Sequence, residues 1–314
     1  MRQLGILAVG LCGRAASTAA ATIELLRRNR SDRSALPIGS HDHLANYRGI
    51  QFAGWDLDPS TCFSAAQRQG AVAERDLGPI EAAMDAIKAL PALGHDGFCG
   101  ANRGSNRREE LTLREKIECL QDDMDALTAR TGGRAVVLNL ASPENAPAVR
   151  PAVLNRRSAL EDALDDQSEE ISPAVLYAYA AIDAGLPYAQ FSPSHVSEAP
   201  AIFDLARERG VPICGRGHDS HANLRDSSDA APLIIELSRC LDLALRQGEA
   251  GPVSSFNAAF DASEGALPWD DLGARDPIAP LRLWLANQEA MPRERTRGRA
   301  HQPELGMAMP QTAV

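Results

Sequence analysis

Leu4-Gly-Ile-Leu-Ala-Val-Gly10-Leu-Cys-Gly13-Arg-Ala-Ala-Ser17-Thr18 decides how the rest of the chain reads. The apolar run Ile6 to Val9 breaks at Gly10, and a second glycine follows at Gly13. Ala15 to Leu26 is then rich in alanine and leucine. Strand, glycine turn and helix in that order open a dinucleotide-binding unit. Glycines let the backbone bend tightly and let a pyrophosphate approach, and the free N–H groups at the helix start bind phosphate oxygens. The spacing is Gly-x-x-Gly, with Ser17 or Ala16 where the fingerprint has its third glycine. An ordinary strand–turn–helix is the competing reading of this fragment alone.

The next strand supports the dinucleotide reading. Ile50-Gln-Phe-Ala-Gly-Trp-Asp56 is an apolar stretch that ends in an acid, the residue type that accepts hydrogen bonds from the adenosine ribose hydroxyls. Asp56 stands further from Gly13 than the ~20 residues of a minimal unit. Polar, turn-rich residues 27–48 account for the excess and read as a long connection, a lid or a disordered loop. Two of its histidines, His41 and His43, suit solvated loop positions better than a shared metal. Asp58-Pro59 reads as a turn.

Further along, helical pattern covers Cys62 to Gln67 and Ile80 to Leu90, with Pro91 as the stop. A glycine- and asparagine-rich loop follows from Gly94 to Arg108. Glu109 to Arg130 is a long amphipathic helix with Leu113, Ile117, Leu120, Met124 and Leu127 at spacings of three and four. Ala135 to Asn139 is a buried strand that runs into Ser142-Pro143-Glu144. Ser172-Pro173 starts a helix through Ile182, serine as cap and proline at the first helical position. A strand from Pro187, a helix from Pro200 to Glu208, a strand at Gly210 to Gly215 and a helix from Leu233 to Gln247 complete the alternation. Phe256 to Phe260 is a late strand or helix, and Pro280 to Ala286 a final helix. The pattern predicts an α/β, Rossmann-like parallel sheet with helices on both faces and no full second domain. Its expected extent is residues 1–288, with 289–314 a disordered tail.

Composition narrows the function classes. The 314 residues carry a formal net charge of −10 and are 44% hydrophobic. An acidic chain is a poor binder of a phosphate backbone, so nucleic acid is not an expected partner. The six cysteines, Cys12, Cys62, Cys99, Cys119, Cys214 and Cys240, are scattered, as in a reduced cytoplasmic protein. No apolar run approaches the ~20 residues of a membrane span. Lysine occurs only at Lys88 and Lys116, which nearly excludes chemistry that needs several ammonium groups.

Six stretches in order resemble the myo-inositol-1-phosphate (inositol-3-phosphate) synthase family. They are Gly10-Leu-Cys-Gly13 with Ser17-Thr18; Phe52-Ala-Gly-Trp-Asp56-Leu; Val136 to Ser142; Glu170-Ile-Ser-Pro to Ile182; Pro187-Tyr-Ala-Gln-Phe-Ser-Pro-Ser194; and Asp226-Ser-Ser-Asp to Leu237. The resemblance covers roughly residues 1–285. It implies a Rossmann domain that holds NAD and a sugar-phosphate substrate in inositol and phospholipid biosynthesis. Glucose 6-phosphate would be oxidised, closed by an intramolecular aldol step and reduced to an inositol phosphate, an isomerase reaction overall. It also implies that Gly10, Gly13, Ser17, Asp56, Asn139, Ser142 and Asp226 bind the cofactor, with Asp226 towards the nicotinamide.

One segment departs from the family. Its Gly-Asp-Asp-x-Lys motif is replaced here by Gly215-Arg-Gly-His218-Asp219-Ser-His221, and only about ten residues lead on to Asp226 where the family inserts a domain. His218, Asp219 and His221 are the acid–base candidates left on the substrate side. No metal is expected. Three readings stand: a synthase-like enzyme, a reduced NAD-dependent oxidoreductase that performs only the hydride step, and a non-catalytic NAD-binding protein. A sugar phosphate is the expected small-molecule partner, with a homo-oligomer or a partner chain as the source of any missing part.

Overall fold

Residues 4–9 form the central strand because they are apolar on both sides, as a strand covered by helices on two faces must be. Leu4, Ile6 and Ala8 enter one core cluster and Leu7 and Val9 the other. The computed structural model describes residues 2–30, 36–99, 104–108, 110–219, 230–264 and 276–290. Its strands are β1 (Leu4–Val9), β2 (Ile50–Asp56), β3 (Leu90–Leu93), β4 (Arg107–Arg108), β5 (Ala135–Asn139), β6 (Tyr188–Gln190), β7 (Pro212–Gly215) and β8 (Gly251–Pro252). They make one sheet in the order β4-β3-β2-β1-β5-β6-β7-β8, and every pairing is parallel.

Helices Arg14–Arg27, Ala230–Gln247, Ser254–Glu264 and Ala279–Ala290 cover one face. Helices Leu113–Arg130, Arg157–Asp165, Pro173–Asp183 and Pro200–Arg209 cover the other. The expected Rossmann-like α/β architecture is thus present as three layers. The Pro173–Asp183 helix is apolar all round, and buried from Pro173 through Ile182, as befits a helix enclosed by its neighbours. Trp55 is fully buried under the second face. Its indole N–H donates to Asp123 of the Leu113–Arg130 helix at 2.7 Å.

Two expectations are corrected and one alternative is resolved. The helical pattern over 80–90 gives a helix only at Glu81–Asp85, and Leu90–Leu93, with Pro91 inside it, is strand β3. Proline is tolerated because β3 lies near the sheet edge, beside the two-residue β4. The described part of the 27–48 connection packs into the fold and is no loose loop. Leu36, Leu44, Ala45 and Tyr47 are buried in the first core cluster. Phe256 to Phe260 is helical, within Ser254–Glu264. His221, Asp226 and residues from 291 onward lie outside the described residues.

Sequential strands leave β1 in both directions, to β2 on one side and β5 on the other. At such a switch point the loops after the two strands part, and a crevice opens beyond the strand ends. The glycine turn follows β1 at this point.

Candidate functional site

The turn after β1 is built by its two glycines. Gly10 has φ +85°, and a side chain there would put Cβ 2.9 Å from the Ala141 backbone. The Gly10 and Leu11 N–H groups both donate to the Trp55 carbonyl, at 2.8 and 3.1 Å. Gly13 N–H donates to the Gly10 carbonyl at 3.0 Å and closes the turn. Gly13 then caps the Arg14–Arg27 helix with no side-chain acceptor and no acid in the first turn. An N-terminus left open in this way is a ready anion site.

Asp56, at the end of β2, locks that turn in place. One carboxylate oxygen accepts Cys12 N–H at 2.8 Å and the other accepts Asp58 N–H at 3.0 Å. Burial pushes its carboxyl above the usual range, against the pull of these two amides. Burial, with Asp56 beside it, pushes the Cys12 thiol up as well, which disfavours its thiolate. Ser17 is fully buried and its hydroxyl donates to the Gly13 carbonyl at 2.8 Å. It braces the turn from behind and does not line the cleft.

A cleft of about 560 Å³ lies over these groups. Gly10, Gly13, Asp56, Asn139 and Ser142 all line it, so the structure brings five of the seven expected cofactor residues together. Ser17 stands behind them and Asp226 is outside the described residues. On the β5 side of the glycine turn Asn139 orders the neighbouring strand ends. Its amide donates to Gln190 Oε1 at 3.1 Å and its carbonyl oxygen Oδ1 accepts Ala141 N–H at 3.1 Å.

Glu144 also lines the cleft and was given no role on sequence grounds. It accepts Ala174 N–H at 2.7 Å, at the start of the Pro173–Asp183 helix. Burial drives its carboxyl above the ordinary value of 4.5, against hydrogen bonds from Ser172 and Ala174. The sequence held one half of this signal, the proline-started helix. The acid arrives from 30 residues upstream.

His218 and Asp219 do not line the cleft. The His218 ring stacks on His195 at 3.9 Å between centroids. His195 is 8% exposed, its Nε2 donates to the Pro147 carbonyl at 2.7 Å, and its Nδ1 is buried without a partner. Neither lysine lines the cleft. Its cations among the described residues are Arg14 and Arg68. Of the other arginines, Arg107 pairs with Asp96 and Arg108 with Asp123. No group of three or more metal-ligating side chains occurs among the described residues, and no described helix is long and apolar enough to cross a membrane.

Comparison with known proteins bears on this cleft. The family model described as myo-inositol-1-phosphate synthase, an NAD-binding domain, matches residues 27–291. That match begins after the glycine turn. Inositol-3-phosphate synthase 1 of Bacteroides thetaiotaomicron is 30% identical over 243 residues, 71% of this chain and 56% of its own length. The inositol-3-phosphate synthase of Saccharomyces cerevisiae is 27% identical over 52% of this chain and 33% of its own length. The chain therefore spans about half the length, or less, of these curated relatives. In fold, the inositol-3-phosphate synthase of Caenorhabditis elegans superposes with a TM-score of 0.59 at 19% identity, over 68% of this chain and 48% of that one. The crystal structure of Ari2 superposes with a TM-score of 0.51 at 15% identity, over 92% of this chain and 99% of that one.

Proposed function

The chain belongs to the myo-inositol-1-phosphate synthase family, and from that membership we propose that it is an NAD-dependent enzyme acting on a sugar phosphate. NAD is the cofactor that the family's matched domain binds. The observation that carries the reading is the glycine turn. It is pinned by Asp56, opens on an uncapped helix start and forms the floor of the cleft. The residues present fit the dinucleotide. The open first turn of Arg14–Arg27 suits the pyrophosphate, Asp56 has lone pairs left for the ribose hydroxyls, and the volume lies within the ~300–1,000 Å³ of small-molecule sites.

When bound, NAD supplies acceptance and return of a hydride. The chain's own residues do the rest. Arg14 and the helix start draw a negatively charged group to the turn. Gln190, Ser192 and Ser194, in the same cleft, offer hydrogen bonds to substrate hydroxyls. Glu144, with its raised affinity for a proton, is placed to hold or release one there. His218 with Asp219 is the second acid–base candidate, with His221 proposed for the same role and Asp226 for the cofactor on its nicotinamide side.

A narrower reading has its own support. Aldol closure develops negative charge on oxygen, which fixed cations offset, and the cleft has no lysine. The hydride step alone is the activity the described residues can support without further cations. The test is to incubate the purified chain with NAD and glucose 6-phosphate and to analyse products and cofactor absorbance. Reduced NAD with oxidised sugar phosphate is the expected result. Inositol phosphate would extend the activity to the whole family reaction. Bound NAD with no turnover of glucose 6-phosphate would overturn the enzymatic reading.

A further inference from the structure

Asp56 and Arg68 line the same end of the cleft, and in dinucleotide sites they are rivals. An acid after the second strand bonds the ribose 2′-hydroxyl of NAD, whereas a nearby arginine accommodates the 2′-phosphate of NADP. Arg68 comes from the Cys62–Gln69 helix and its side chain is half exposed. Its guanidinium is bound to the Asp58 carboxylate, and it also donates to Ser60 Oγ at 3.3 Å. Asp58 is itself latched, since Ser60 donates to it through N–H at 3.0 Å and through its hydroxyl. Burial raises the Asp58 carboxyl, but the Ser60 bonds and Arg68 outweigh it and hold the group below the usual carboxylate range.

We propose that Asp58 sets the choice of NAD over NADP by holding Arg68 away from the adenosine ribose. The proposal rests on the cofactor reading above. With Asp58 ionised, two carboxylates face one guanidinium at this rim, and an incoming 2′-phosphate meets net negative charge and a guanidinium already engaged by Asp58 and Ser60. Without that charge, Arg68 is released and its planar fork matches a phosphate. The plainer reading is that Asp58 and Ser60 only shape a turn and that Arg68 is one more exposed ion pair. The two readings differ in what a single amide substitution does.

Calorimetric titration of the full chain with NAD and with NADP separates them. The wild type binds NAD more tightly than NADP. In Asp58→Asn, which keeps an acceptor for Ser60, the ratio of NADP to NAD affinity rises by roughly tenfold or more, the scale of one hydrogen bond to a charged group. In Asp58→Asn/Arg68→Gln that gain disappears. An unchanged ratio in Asp58→Asn, or a gain that survives in the double variant, overturns the proposal while the cofactor reading stands. A wild type that binds neither dinucleotide overturns both.

Discussion

Asp56 has two duties, because the oxygens that face a ribose also hold the glycine turn to β2 through Cys12 and Asp58. Asp56→Asn removes one acceptor and leaves one of those N–H groups facing an amide N–H₂. A loss of about 1–3 kcal/mol of stability follows, read as a lower urea midpoint, together with weaker NAD binding. Glu144 titrates in the opposite sense to a surface acid. Its proton affinity is higher folded than unfolded, so the folded chain binds more protons than the unfolded one above pH 4.5. Its contribution to stability is present at low pH and is lost as pH rises through the raised value. Relative to Glu144→Gln, the wild type therefore loses stability between pH 4.5 and neutrality. Urea midpoints of both proteins across that range check this, and a wild type that gains relative to the variant refutes it. Asp56 was legible in the sequence because an acid closes an apolar strand. Glu144 was not, because its meaning comes from a helix start that only the fold brings alongside.

At the scale of elements, several strand ends and helix starts carried clear local signals. Gly10 breaks β1, Ser172 accepts Val175 N–H as the cap of the Pro173–Asp183 helix, and Thr112 and Glu115 form a reciprocal capping box at Leu113–Arg130. Thr112→Ala lowers stability by about 1 kcal/mol, measured by thermal or urea unfolding, with no effect on the cleft. The misread elements lack such local signals. β3 inherits the helical spacing of the residues before it and holds a proline, yet its partners β2 and β4 make it a strand. Tertiary pairing decided against local propensity there. β8 is two residues long, too short for any period to show.

Across the whole molecule, the segment after the first helix is tied to the Ala230–Gln247 helix by a buried ionic cluster. Tyr47 donates to Glu236 at 2.6 Å, and Ile38 N–H donates to the same oxygen at 3.2 Å. Arg239 pairs with the other Glu236 oxygen at 2.5 Å and donates to the Ala45 and Gly39 carbonyls at 2.9 Å each. Its guanidinium lies 3.9 Å over the Tyr47 ring. Glu236 and Arg239 are at most 1% exposed. Removing one partner strands a buried charge. Glu236→Gln is therefore expected to cost about 3–5 kcal/mol, and Glu236→Met/Arg239→Met less, as read from urea unfolding. The anchors of this segment, Leu36, Leu44, Ala45 and Tyr47, follow no period. The surrounding arginines and turn residues therefore made it look like a free loop.

The central claim is that the glycine turn and Asp56 make this chain an NAD-binding protein. Titration calorimetry of NAD into the full wild-type chain at neutral pH tests it most directly. Saturable binding near one NAD per chain is predicted, abolished in Gly13→Glu, which sets a carboxylate at the open helix start. No saturable binding by a wild-type chain that still unfolds cooperatively would contradict it.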